Sequence, residues 1–354
     1  MKKKTALIAS IMTVMLVCSQ AKGIALAKPE PELLTVRKAQ EMAIANSEDV
    51  KIEKLNGSNV ALKNQLAVWN SRLIKEENVE SLNMALAKSG PKSAAPMTEQ
   101  QQTQMINKVI SSKKEEVAKR YYELWNSAKK LEIAEESENR LTDLKELSSR
   151  LGKREDQLQV ENQIAQQEAS KQVLLMEYSN SITLFNTLIG AEVDNEWTLT
   201  GDLPEDAKLP VTLEEFIRNT LDHTDEYVTQ KITNEYLKKI RDIHDKYSAL
   251  STNQGRISVN NEKIGQLYLE KIRKKVRNDI VIEYRKYVEL KEVIAKYKES
   301  VATSEKYYIH LKKLYMDREV PMNDVLSAEN TLTNLEFQLR KGMNEYNLIV
   351  SKLY

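Results

Sequence analysis

Along the last third of the chain, apolar side chains recur at alternating steps of three and four. From Tyr287 the series runs through Leu290, Ile294, Tyr297, Val301, Ser304, Tyr308 and Leu311 to Tyr315. After a polar interval it resumes at Val325 and continues through Ala328, Leu332, Leu335, Leu339, Gly342, Tyr346 and Ile349 to Leu353. A repeat averaging 3.5 residues keeps one stripe on one side of a helix, where a neighbouring helix can pack knobs into holes. The interval reads DREVPMN. Pro321 fixes φ and lacks an N–H, and Asn323 and Asp324 stand where a cap would start a returning helix. The spacing predicts an antiparallel coiled-coil hairpin.

The remaining chain predicts more of the same. A helix is expected over residues 34–88, its first face formed by Val36, Ala39, Ala43, Ile44 and Val50. A looser stripe of Leu55, Leu62, Leu66, Leu73, Val79, Leu82 and Leu86 extends it. Residues 89–96, SGPKSAAP, are expected to break it, because glycine and two prolines disfavour helix interior. The next helix, 98–151, has a seam at Val117, Tyr121, Leu124, Ala128 and Leu131 that lapses and resumes at Leu141, Leu144 and Leu151. Gly152 and Lys153 read as a turn before a helix over 155–189, with Leu175, Tyr178, Ile182, Phe185 and Ile189 in its seam and Gly190 as its C-cap. Residues 191–210, including Trp197, read as a linker. A helix over 212–250, a break at 251–255 and a helix over 258–316, on the order of 90 Å long, complete the series.

The series is doubled. LTVRKAQEMAIANSEDV from Leu34 aligns with VTLEEFIRNTLDHTDEY from Val211, and DQLQVEN from Asp156 aligns with DVLSAEN from Asp324. The first offset is 177 residues and the second 168, so the difference must be absorbed between them; residues 89–96 are one candidate place. On these motifs the chain resembles the TolC family of outer-membrane efflux proteins. The family's halves open with a segment like LTVRKAQEMAIANSEDV, its hairpins turn just before a D-V-L-x-A pattern, here DVLSA at Asp324 and DQLQV at Asp156, and its repeats join through a segment like WTLTGDLP.

The resemblance implies an all-α fold of elongated antiparallel coiled-coil hairpins in two tandem repeats. It implies a homotrimer whose rods form a tube, serving as an exit duct docked to an adaptor (membrane fusion) protein and an inner-membrane pump. The tips, residues 151–156 and 318–324, would meet the adaptor and close the pore. Leu151, Gly152, Arg154, Asp156, Arg318, Val320, Pro321 and Asp324 are therefore the candidate docking or aperture residues. Family members place glycine six residues before the tip aspartate, where this chain has Arg150 and Arg318. The slots for membrane strands, 89–96 and 251–257, are too short for one spanning strand of about 9–11 residues. A TolC-like protein without the β-barrel is expected, suited to an envelope that lacks an outer membrane.

Composition narrows the alternatives. Only nine glycines and seven prolines occur among 354 residues, and charged residues make up 30 % with a net charge of +1, which leaves no global field for nucleic acid. Lys2, Lys3 and Lys4, the apolar run 5–18 and Ala25-Leu26-Ala27 read as a signal peptide over 1–27, with Ala21 as an earlier cleavage point. Its Cys18 is the chain's one cysteine, so the exported chain is expected to carry no disulfide. The domains then read as repeats over 28–190 and 211–354 around the linker.

No nucleophile elbow or phosphate loop occurs, and His223, His244 and His310 are scattered, so neither enzyme, cofactor nor metal is expected and the histidines read as solvated. The basic run 271–277, flanked by Glu262, Glu270, Asp279 and Glu283, reads as a solvated helix face. The seam tyrosines read as packing. Asp156 and Asp324 read as helix caps, to which the resemblance adds a carboxylate ring at the aperture. A non-channel coiled-coil scaffold and a secreted helical pore-forming toxin remain as alternative readings.

Overall fold

A computed structural model describes residues 32–151, 154–201 and 212–353. The expected signal peptide with Cys18, the turn residues Gly152 and Lys153, and most of the linker's second half lie outside these residues. The elements run β1 (Glu32–Leu34), α1 (Val36–Asn46), α2 (Glu48–Arg72), α3 (Leu82–Leu151), α4 (Arg154–Ile189), β2 (Trp197–Leu199), α5 (Leu213–His223), α6 (Asp225–Lys246), α7 (Asn253–Met316) and α8 (Met322–Leu353). Each half has the same order: strand, short helix, rising helix, long descending helix, tip, returning helix. The short helices α1 and α5 are both 11 residues long and open on the same device. Thr35 Oγ1 accepts from the N–H of Lys38 and Thr212 Oγ1 from that of Glu215, satisfying a first-turn donor.

The two long hairpins, α3–α4 and α7–α8, carry the predicted seams. Tyr287, Ile294, Ser304, Tyr308, Leu311 and Tyr315 are buried on α7, facing buried Val325, Ala328, Leu332 and Tyr346 on α8. At the other end α2 packs on α3, α3 on α6 and α6 on α7, a layer with α2 and α7 at its edges. Hairpin tips occupy one end of the rod. The turns joining α2 to α3 and α6 to α7 meet at the distal end, where the Tyr247 hydroxyl donates to Val79 O at 3.3 Å.

Midway between, α1 and the two strands form a waist. Strands β1 and β2 pair in parallel, Leu33 opposite Thr198, a small sheet absent from the all-helical expectation. Tyr121 explains it. Its hydroxyl donates to Leu34 O at 2.8 Å and accepts from the Thr200 N–H at 2.8 Å, bridging the segments that open each repeat. The Tyr121 ring lies edge-on to Phe185, 6.0 Å between centroids, in a core with Leu34, Ala39 and Val117. Asn186 anchors the linker, its Nδ2 donating to Val193 O and Asn195 O while Oδ1 accepts from Trp197 Nε1 at 2.6 Å.

Several expectations need correction. The chain turns back not at residues 89–96 but at 73–81, and α3 runs straight through Gly90, Pro91 and Pro96. Each proline deletes one helix bond. The carbonyls so freed belong to Ala87 and Lys92, both exposed, where water can serve. Next to Pro96, Ala95 O accepts from Asn64 Nδ2 of α2 and Thr98 Oγ1, so the neighbouring helix braces the segment. The nine-residue difference between repeats therefore arises elsewhere. Glu48 to Asp225 is an offset of 177 residues, Leu82 to Asn253 of 171 and Arg154 to Met322 of 168. Most of the loss falls at the distal turn.

The single helices expected over 34–88 and 212–250 are each cut by one extended residue, Ser47 at ψ 119° and Thr224 at ψ 118°. The stripe of Leu55, Leu62, Leu66 and Leu73 is exposed, not core. His244 is buried in α6, not solvated. Gly190 does cap α4, at φ +72°, and a Cβ there would strike Asn46, whose Nδ2 donates to Ile189 O at 2.8 Å.

Candidate functional site at the hairpin tips

Both hairpins end in one shared core. Leu141, Leu144 and Val160 of the first meet Tyr308, Leu311, Tyr315, Met322, Val325 and Leu332 of the second. Candidate residues Leu151 and Val320 are half-buried against this core. Beyond it the tips are tied by a polar contact. The Tyr315 hydroxyl donates to Asp156 Oδ2 at 2.7 Å, joining the end of α7 to the start of α4. Asp156 is only 8 % exposed. Burial, reinforced by the bond to Asp156, pushes the Tyr315 hydroxyl well above the usual tyrosine range, so it stays protonated and donates. Asp156 and Asp324, matched in sequence, are thus unlike in place: Asp324 is exposed.

The second tip turns on a left-handed residue. Arg318 has φ +64°, and its N–H donates to Tyr315 O at 3.0 Å while that of Glu319 donates to Leu314 O at 2.9 Å. A left-handed residue just after a helix is the position that glycine favours, so the arginine here occupies a glycine's conformation. At the other tip Arg150 is ordinary helix, with Glu146 3.5 Å away. Pro321 O accepts from the Asp324 N–H, closing the return turn. Arg154, exposed, donates to Gln157. Gly152 lies outside the described residues.

Interleaved with the shared core, a buried charge cluster joins α3 to α8. Glu329, 1 % exposed, accepts from Ser137 Oγ at 2.7 Å, Thr333 Oγ1 at 2.8 Å and Arg140 Nε at 3.2 Å. Arg140 Nη2 also donates to Glu336 at 2.9 Å. Burial raises the Glu336 carboxyl above its ordinary value, with Arg140 opposing. Burial and then the field of Glu329 push the Tyr308 hydroxyl up to about 12. Glu329 Oε2 and the Tyr308 hydroxyl are buried without a hydrogen-bond partner among the described residues. Sequence reasoning missed this cluster. Its one signal was the lapse in the α3 seam after Leu131, where buried Ala134 and Ser137 replace large apolar residues and admit Glu329.

Other candidates resolve simply. In the basic run, Ile272 and Val276 turn inward while Arg273, Lys275 and Arg277 pair with Glu270, Glu226 and Glu214. Among the described residues no group of acidic, His or Cys side chains could hold a metal, and no helix is long and apolar enough to cross a membrane.

No protein-family model matches the sequence, and no curated protein matches it. Solved structures match the fold. The outer-membrane channel OprN aligns at TM-score 0.64 and 12 % identity over 90 % of this chain and 88 % of that one. The outer-membrane protein VceC of Vibrio cholerae aligns at 0.61 and 12 %, over 90 % and 94 %. The MtrE outer-membrane channel of Neisseria gonorrhoeae, solved in its open state, aligns at 0.58 and 10 %, over 90 % and 88 %. The fold is TolC-like, with no barrel strands among the described residues.

Proposed function

We propose that this chain is the passive exit duct of an export system. Three copies form a tube, the hairpin tips set its aperture and dock an adaptor protein, and an inner-membrane pump supplies the energy. The observation that carries this reading is the pair of tips sharing one core and cross-tied by Tyr315 and Asp156, within a fold like that of outer-membrane channels. Asp324, exposed just past the turn, would form a ring of three carboxylates around the opening, attracting cations. Leu151, Gly152, Arg154, Arg318, Val320 and Pro321 would form the docking edge. We assign no catalytic role. Residues 1–27 act as the export signal, and the short distal turns suit a duct that adds no membrane barrel. Cells lacking the chain should accumulate a fluorescent efflux substrate such as ethidium. The wild-type chain should restore export, and an Asp156→Arg, Tyr315→Glu variant should alter it. Equal dye levels in all three strains would dismiss the duct.

A further inference from the structure

We infer that the helical layer carries a binding groove for an acidic sugar chain on its concave face, over the middle of α6. The groove belongs to one chain; its opening into a bore rests on the duct reading and names a cargo class for it.

The groove holds about 380 Å³, at the small end of the roughly 300–1,000 Å³ of ligand clefts. Three neighbouring helices wall it: Gln101 and Gln104 from α3, Thr229 and Thr233 from α6, Tyr268 and Lys271 from α7. Helix α6 lies between the other two. Outer helices wall a groove over the middle one only where the layer bends toward that side. Helix α5 sits on the other face, where Ile217 clusters with Tyr227 and Val276. Tyr227 stands about 200° around α6 from Thr229. A layer that closes into a tube is concave toward its bore, so the groove faces what passes through.

The lining offers amides, hydroxyls, a phenol and an ammonium. A glutamine amide presents a donor and an acceptor side by side, the complement of two adjacent sugar hydroxyls. Gln101 is exposed and Gln104 half-buried, one turn apart on α3. On the opposite wall Tyr268 is 52 % exposed, a flat ring on which the C–H face of a pyranose packs. Lys275 is drawn to Glu226 at 3.1 Å, while Lys271, one turn nearer Tyr268, is exposed. Tyr268 and Lys271 are three apart and share a helix face. Together they take a sugar ring and its carboxylate.

The floor is already ordered. Thr233 Oγ1 donates to Thr229 O at 2.9 Å, and Gln230 donates to Asn234 Oδ1 at 2.9 Å and Gly265 O at 3.2 Å, so a ligand need not immobilise them. Thr229, 7 % exposed, keeps a buried hydroxyl with no partner among the described residues, which a polar ligand can answer and an apolar one cannot. Other cargo fits less well. An aromatic cation meets Lys271 and Lys275 as like charges. Apolar cargo meets one aliphatic side chain among the described lining residues, the buried Ile272. An acidic peptide brings the carboxylate without the paired hydroxyls. An open groove also lets go, as a duct requires.

The test is saturation-transfer NMR on the purified full chain with digalacturonic acid as the probe. Its ring protons should take up saturation from the protein, with weak, saturable binding on titration. Lys271→Glu should weaken binding about tenfold, and Tyr268→Ala should remove transfer to the ring protons. Both positions are exposed, so these chains should melt as wild type does; Gln101→Leu, on the opposite wall, should weaken binding independently. Maltose should bind less tightly, and neither a dipeptide of two glutamates nor ethidium should compete. Absence of transfer, equal binding by maltose, displacement by the dipeptide or ethidium, or binding unchanged in all three variants would overturn the inference. Intact ethidium export without digalacturonate binding sinks the groove and leaves the duct. Specific binding by a chain whose loss leaves ethidium levels unchanged sinks the duct and leaves the groove.

Discussion

The two ends of the rod solve the same packing problem differently. At the tips, four helix ends enclose one apolar core and a buried charge cluster, and the large seam residues are covered within a single chain. At the distal end, α2 has polar and small residues against its neighbour, Asn64, Gly57 and Ser71, while its leucines face out. A heptad seam predicts that a helix has a partner, not that the partner lies in the same chain. The tips cover their seams within one chain; the distal layer leaves the α2 seam exposed.

Substitutions can press on that contrast. The largest effect belongs to the charge cluster. Arg140→Met leaves Glu329 and Glu336 buried without their cation, and should cost about 3–5 kcal/mol by denaturant melting. The loss should shrink in acid, because a carboxyl whose folded value is raised destabilises only once it ionises as pH climbs. A loss unchanged by pH would mean that lost packing, not charge, is responsible.

Next come paired leucines. Leu332→Ala at the tip core should cost about 2–5 kcal/mol. Leu66→Ala, at a position 61 % exposed, should cost under about 0.5 kcal/mol in a dilute single chain. It should matter only at concentrations where copies associate. Equal costs in the dilute chain would erase the distinction between the two ends.

Below the Leu332 cost comes Tyr315→Phe, which strips the donor from buried Asp156 and should cost about 1–3 kcal/mol. It also bears on pH. Tyr308 and Tyr315 have folded values raised above the ordinary one. The stability they hold is complete below about pH 10 and is lost as pH rises through their folded values. Alkaline melting of wild type should therefore fall more steeply than that of a Tyr308→Phe, Tyr315→Phe chain. A gain in place of a loss belongs to Arg318→Gly, which relieves a left-handed arginine and should stabilise by up to about 1 kcal/mol. A destabilised glycine variant would show that the arginine side chain outweighs the strain.

Periodicity made the long hairpins legible, because seam positions from Tyr287 to Tyr346 each constrain the next. The tips were legible from Pro321 and the matched Asp156 and Asp324. What was not legible depended on neighbours distant in sequence. Pro91 and Pro96 looked like breakers, yet their lost bonds fall on carbonyls of exposed residues. Arg140 has no local signature, since its partners lie nearly two hundred residues on. The burial of Asp156 and exposure of Asp324 could not be told apart from two similar motifs.

The waist carries one more consequence. Each residue of β1 pairs 165 positions downstream, Glu32 with Trp197 and Leu34 with Leu199. A chain leaving the ribosome or an export pore N-terminus first must keep its opening strand single until the second half starts to emerge. Contacts so far apart in sequence form late, so the two halves should lock together after their own hairpins have formed, with the Tyr121 phenol as the final stitch.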